Sequence, residues 1–280
     1  MPIHSTRGNF SWHHLNQWQV GVLPLAMLVV ALALYLWAAW RAGDWSKARV
    51  MSFVAALGVT FLATQSVLGV YDMTYFSAHM IQHLALIMFA APLFALSAPL
   101  DLWRRVGGPR TRSFFDGRIM SVFTHPLVAF GTYFVVIPAT HLSGLANDMM
   151  LYPWVHHVEQ IVFLLVGYLF FRVAFGLEHG FTIHPGLRLV YVMAAVPVDT
   201  FTGLALVMTS TLPFPAYRAM APAGASSDWM LSNVHLGGAI MWIGGDALML
   251  LACIPITVAW VKFETQRTRV LDAQLDSLGI

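Results

Sequence analysis

The sequence predicts an all-α integral membrane protein, and two observations lead to that prediction. Hydrophobic residues make up 58% of the 280 residues and charged residues only 10%, whereas soluble proteins contain about 25% charged residues. The charges fall in short clusters between apolar runs of roughly 20 residues, which is the length of a membrane-spanning helix. We therefore expect a bundle of seven transmembrane helices that forms a single polytopic membrane domain over residues 1–280.

The expected spans are bounded by tryptophans, prolines or charged residues. Trp18 and Trp40 stand at the two ends of the first span, where interfacial tryptophans are favoured. Pro92 should kink the third span and Pro99 should end it. The first apolar run is as long as a full span, which argues against a cleaved signal peptide. The spans are expected at about 18–40, 50–70, 79–99, 121–141, 153–173, 187–212 and 233–261.

The distribution of lysine and arginine predicts the orientation of this bundle. Thirteen of the fifteen basic residues fall on one side of the seven spans, and only Arg7 and Arg218 fall on the other. Because basic loops stay in the cytoplasm, the N-terminus should face outward and the C-terminus should be cytoplasmic. For a bacterial chain this means the plasma (inner) membrane, and the net charge of +2 gives no reason to expect nucleic acid as a partner.

Nine of the twelve histidines then fall outside or in the outer ends of spans. His79 and His83 are four residues apart and share one face of a helix, so both imidazoles can reach one metal ion. His156 and His235 should lie within about two turns of the same interface. Imidazole is a common ligand of copper, zinc, iron and nickel. The alternative is that these are interfacial histidines that simply face water.

The carboxylates and methionines refine this hypothesis. Glu159 lies one turn after His156 on the same face, so it can ligate a metal or orient an imidazole. Asp199 and Asp246 lie mid-span and should face the bundle interior; each can serve a charge-based function or act as a hydrogen-bonded clamp between helices. Met80 is a soft auxiliary donor that slightly favours copper.

Two further residues limit the choice of ligands. His157 points about 100° away from His156, so only one of the two is expected to bind the ion, and His156 shares the face of Glu159. The single cysteine, Cys253, excludes an internal disulfide and a CxxC motif. The predicted metal ligands are therefore His79, His83, His156, His235 and Glu159, with Met80, His157, Asp199 and Asp246 as auxiliary candidates.

The chain resembles the seven-helix CtaG-type (caa3-type) cytochrome c oxidase assembly factors of bacteria over about residues 20–262. The matching stretches are His79-Met-Ile-Gln-His83, His156-His-Val-Glu159, and His235-Leu-Gly-Gly-Ala-Ile-Met-Trp242 with Gly245-Asp246. The resemblance implies a protein without enzymatic activity that helps to build haem–copper oxidases. It also implies copper handling at the outer face, with oxidase subunits or other copper chaperones as partners. The chain departs from the family pattern at Gln160 and Asn233, where relatives often have histidine and aspartate.

Two other functions remain open at this point. Histidines on neighbouring spans are also typical axial ligands of a haem-binding membrane cytochrome or haem chaperone. Asp199 and Asp246 near the midplane are typical of an ion- or metal-coupled transporter, although the sequence shows no inverted repeat.

Overall fold

The computed structural model describes residues 16–178 and 180–278, and these residues form helices without any β-strand. Six helical segments are long and apolar enough to cross a bilayer, and there are seven if the bent pair 109–123 and 126–142 counts as one span. The helices are α1 (Val22–Ala42), α2 (Lys47–Gln65), α3 (Val67–Tyr71), α4 (Phe76–Leu84), α5 (Ala91–Ser97), α6 (Pro99–Val106), α7 (Pro109–Phe115), α8 (Arg118–Phe123), α9 (Pro126–Leu142), α10 (Leu145–Leu151), α11 (Pro153–Phe175), α12 (Pro185–Val207), α13 (Tyr217–Met220), α14 (Ser227–Ala239) and α15 (Gly245–Leu278).

Two π-helical turns interrupt the long helical segments that carry the His79–His83 pair and His235. The Ala85–Ala90 turn joins α4 to α5, and the Ile240–Gly244 turn joins α14 to α15. Pro92 follows the first turn and lacks the N–H that an α-helix would direct at the Met88 carbonyl. The irregularity expected from this proline is therefore a π turn just before it, a feature that is frequent at functional sites.

The ends of several predicted spans lie elsewhere in the structure. Residues 121–123 belong to α8, and α9 begins at Pro126, because the imidazole of His125 caps it by accepting the Leu127 N–H. Helix α12 ends at Val207, five residues before the predicted boundary. Pro99 ends the third span as expected: the backbone at Ala98 is left-handed, and Pro99 begins α6.

The core of the bundle is built around α11 and α12. Helix α11 packs against α5, α9 and the Ala85–Ala90 turn, while α12 packs against α9, α14 and α15. Glycines permit two of these close approaches: a Cβ on Gly167 would lie 2.8 Å from the Cβ of Ala91, and one on Gly203 would lie 2.6 Å from the carbonyl oxygen of Gly238. Helix α4 packs against α14. The beginnings of α4 and α11 meet at one end of the bundle, where the rings of His79 and His156 are 5.2 Å apart, and we call this end the histidine end.

Candidate metal centre

Helix α4 places two histidines side by side at the histidine end. His79 and His83 are one turn apart, and the centres of their rings are 4.0 Å from each other. Both side chains are buried, although histidine is a polar residue. Helix geometry puts both imidazoles on one face, and the packing of the bundle turns that face toward α11.

Helix α11 supplies a carboxylate that lies among three imidazoles. Glu159 Oε2 is 3.8 Å from His79 Nε2 and 3.4 Å from His156 Nδ1, and Glu159 Oε1 is 3.7 Å from His83 Nε2. The rings of His79 and His156 are 5.2 Å apart. The structure therefore brings together four of the five predicted ligands, which we call the His3Glu cluster (His79, His83, His156 and Glu159).

The geometry of the His3Glu cluster fits a metal ion. Tetrahedral ligand atoms that lie about 2.1 Å from an ion are about 3.4 Å from one another, close to the separations found here. Ligand atoms of His79, His83 and Glu159 all lie within 4.8 Å of one another. Within the cluster, His79 Nε2, both nitrogens of His83, His156 Nδ1 and Glu159 Oε2 are buried without a hydrogen bond. Buried polar atoms are normally satisfied, and a shared cation would satisfy the Glu159 carboxylate and one nitrogen of each imidazole.

A second carboxylate, Asp72, orients His156 from outside the cluster. Asp72 Oδ2 lies 3.0 Å from His156 Nε2 and accepts a hydrogen bond from Gln82 Nε2 at 2.8 Å. An imidazole that donates its outer N–H to a carboxylate presents its other nitrogen to the metal, a common arrangement around metal ligands. Gln82 is completely buried and also donates to the Ala63 carbonyl. The middle of the His79–His83 motif thus holds Asp72 in place.

Gln160 completes this support. Its terminal amide lies 3.1 Å from Gln82 Oε1 and 2.9 Å from His156 Nε2. One of the two residues that depart from the family pattern is therefore a neighbour of the candidate ligand His156. Sequence reasoning missed Asp72 and Gln82; the available signal was a lone carboxylate in the short connection before the histidine pair, on a side of the bundle with few charges.

A cleft leads from the surface to the cluster. It encloses about 80 Å³ and is lined by Asp72, Met73, His156, His157 and Gln160 among other residues. His157 is exposed, whereas His156 is buried. The cleft thus joins an exposed histidine to a buried one.

His235 lies apart from the other predicted ligands. Its Nε2 is 2.9 Å from the Thr209 carbonyl oxygen, so this nitrogen donates a hydrogen bond there. Among the described residues, His235 shares neither an ion pair nor a ring contact with the His3Glu cluster. Asn233, two residues earlier, accepts from Tyr217 and donates to Ser77, and so links α14 to α4.

The two mid-span aspartates each have a neutral partner on another helix. Asp199 accepts a hydrogen bond from the Tyr133 hydroxyl at 2.7 Å, and Asp246 accepts one from Thr200 at 2.8 Å. These contacts have the form of the helix clamp that the sequence left open. Met80 is 1% exposed and lies beneath the cluster, beside His83.

The opposite end of the bundle has its own buried charges. Glu178 accepts hydrogen bonds from the Tyr168 hydroxyl and the Leu100 N–H, and its Oε2 lies 3.2 Å from Arg172 Nε. Burial raises the pKa of Glu178 to about 7, although these three neighbours lower it. His184 caps α12, and His179 lies outside the described residues. Glu178 therefore links the beginning of α6 to the end of α11.

Comparison with known proteins agrees with the resemblance seen in the sequence. Proteins of Mycobacterium bovis and Mycobacterium tuberculosis, both described as uncharacterised, are 27% identical over 252 residues, which is 85% of this chain. An uncharacterised protein of Mycobacterium leprae is 29% identical over 238 residues. The chain spans only 36–38% of the length of these relatives. No solved structure matches it.

The family match covers most of the chain. Residues 33–262 match the sequence profile of the family described as "Cytochrome c oxidase caa3 assembly factor". This range includes all four residues of the His3Glu cluster and both π-helical turns. The protein belongs to the caa3-type cytochrome c oxidase assembly factor family.

Proposed function

We propose that this protein binds copper in the His3Glu cluster and delivers it to a haem–copper cytochrome c oxidase during assembly. The observation that supports this most is the set of buried, unbonded ligand atoms around Glu159. Isolated buried charge is costly, and a bound cation offsets that cost. Three imidazoles with one carboxylate are a donor set that copper accepts readily. Copper is cargo here, and the protein needs no enzymatic activity to carry it.

The cleft supports transfer better than permanent storage. A structural metal site is closed on all sides by protein ligands, whereas a site that exchanges its ion keeps an open position. The cleft beside His156 is also lined by Met73 and by the exposed His157. An oxidase subunit or a second copper chaperone can therefore approach the ion along this path.

We place the histidine end on the outer side of the bacterial plasma membrane. The long segment Phe76–Val106 begins beside the cluster, and its opposite end carries Arg104 and Arg105. Arg112 follows in α7. Because basic segments remain cytoplasmic, the histidine end and its cleft face outward. The distribution of basic residues along the whole chain further supports seven spans with a cytoplasmic C-terminus.

Haem fits this site less well than copper. In the described part of the chain, the cavities that touch the cluster enclose about 80 and 20 Å³. Pockets for organic ligands usually enclose about 300–1,000 Å³. A purified protein without a Soret band agrees with the copper proposal, and a haem-loaded one contradicts it.

The test of this proposal is genetic and uses oxidase assembly as the measurement. A deletion strain should contain less copper per haem in its purified haem–copper oxidase, with partial recovery when copper is added to the medium. Wild-type protein and His157→Ala should restore the copper content, and His83→Ala should not, at equal protein levels in the membrane. Normal copper content in the deletion strain would remove the proposal.

A further inference from the structure

A small buried cavity lies on the inner side of the His3Glu cluster. It encloses about 20 Å³, which is enough for one ion or one water molecule, since a water needs about 10–15 Å³ of such space. Its walls include His83, His141, Met80, Met88 and Met241. His83 therefore belongs both to the cluster and to this cavity.

His141 on α9 contributes an unused nitrogen to the cavity wall. Its Nδ1 lies 2.8 Å from the Ile137 carbonyl oxygen, and since a carbonyl only accepts, Nδ1 holds the proton. The lone pair is then on Nε2, which is buried and has no hydrogen-bond partner. The residue is 3% exposed. A neutral imidazole with a free Nε2 is a ready metal ligand.

His83 and His141 are placed so that one ion can touch both. An ion lies about 3.2 Å from the centre of an imidazole that ligates it, so two rings that share an ion have centres up to about 6.4 Å apart. The rings of His83 and His141 are 5.4 Å apart and nearly perpendicular. Neither nitrogen of His83 has a hydrogen bond.

Methionines from both π-helical turns reach the same cavity. Met88 lies in the Ala85–Ala90 turn and Met241 in the Ile240–Gly244 turn. The carboxylate in the cavity wall, Asp199, is already bonded to the Tyr133 hydroxyl. Apart from the Asp199 carboxylate, the donors in the cavity wall are imidazole and thioether, the combination that suits Cu(I).

We propose that this cavity is a second position for Cu(I), with His83 and His141 as nitrogen ligands and Met88 and Met241 as sulfur ligands. The inference rests on the proposed copper role of the His3Glu cluster and extends it inward. Because His83 is common to both positions, one ion moves between them by exchanging Glu159, His79 and His156 for His141 and the thioethers. The step is a ligand exchange, so no electron is transferred and no covalent bond to carbon forms or breaks.

Copper K-edge X-ray absorption of the purified full chain tests this position. The protein is loaded with one equivalent of Cu(I) without oxygen, and sulfur and nitrogen neighbours of copper are distinguished by their distances. Wild type should show copper–sulfur scattering, and the Met88→Leu/Met241→Leu variant should lose the part that these two thioethers contribute, so that at most the Met80 sulfur remains, while it still binds copper. Leucine for methionine nearly conserves volume, so the bundle should remain folded. Met193→Leu, an exposed methionine, is the matched control.

Affinity measurements with a chromogenic Cu(I) chelator complete the test. His141→Leu should weaken Cu(I) binding about tenfold, and Met193→Leu should leave it unchanged. If wild type binds Cu(I) but its copper–sulfur signal is missing, or is undiminished in the double variant, the second position is wrong and the His3Glu cluster stands. If wild type binds only Cu(II), the second position alone is wrong, and if it binds neither Cu(I) nor Cu(II), both proposals are wrong.

Discussion

Asp72 offers the sharpest perturbation of the cluster because it touches no ion itself. Replacing Asp72 by asparagine conserves the shape of the side chain and removes its charge. The two hydrogen bonds that Asp72 accepts, from His156 and Gln82, both end on Oδ2. The carbonyl oxygen of asparagine can take that place, so the orientation of His156 should be kept while the electrostatic support of its N–H is lost.

The expected loss follows from the difference between charged and neutral hydrogen bonds. A hydrogen bond to a charged group contributes about 1.5–3 kcal/mol and a neutral one about 0.5–1.5 kcal/mol. The difference of about 1.4 kcal/mol corresponds to a tenfold weaker copper affinity. This is at the low end of the 10–100-fold losses seen for residues that orient metal ligands.

The assay is competition for Cu(I) between the purified protein in detergent and a chromogenic chelator. Asp72→Asn should bind about tenfold more weakly than wild type, with unchanged stoichiometry. Asp148→Asn, an exposed aspartate on α10, is the control for the chemical change itself. An Asp72→Asn affinity equal to that of wild type would refute the role of Asp72, and a loss of folded protein would show that it stabilises the bundle instead.

Three further predictions concern the rest of the bundle. The raised pKa of Glu178 means that the folded protein binds this proton more tightly than the unfolded chain does. The free energy of unfolding should therefore fall by up to about 3 kcal/mol between about pH 4.5 and 7. The thermal midpoint of a Glu178→Gln variant should depend less on pH over that range, and an unchanged dependence would contradict this assignment. Gly203→Val should prevent the close packing of α12 on α14, where the Gly238 carbonyl leaves no room for a side chain, and we expect a lower thermal midpoint than for Gly58→Val, where a Cβ meets open space. A reporter enzyme that requires export should be inactive when fused after Ile280 and active when inserted at Gly224; the opposite pattern would reverse the orientation.

The long helices and the residues that form the His3Glu cluster could be predicted from the sequence. Helical spacing fixes the relation of His79 to His83 and of His156 to Glu159, whatever the tertiary structure is. Depth along the spans then brings the two pairs to one level. The structure adds that the pair on α4 and the pair on α11 face each other.

The surroundings of the other polar side chains depend on the rotation of each helix about its axis, which depth along a span does not determine. His235 lies at the predicted end of the bundle, but its helix directs the imidazole at Thr209. His141 lies at the expected end of α9 and faces His83, and no periodicity in its neighbourhood indicates this. Asp72 follows α3, and its position relative to His156 depends on the turn between α3 and α4.

Copper stoichiometry tests the central claim most directly. Wild-type protein, purified and exposed to excess Cu(I), should retain one tightly bound ion per chain after desalting. The His79→Ala/His83→Ala variant, which removes ligands from the cluster and the shared ligand of the inner cavity, should retain almost none, while His157→Ala should equal wild type. Equal copper content in wild type and the double variant would contradict the account.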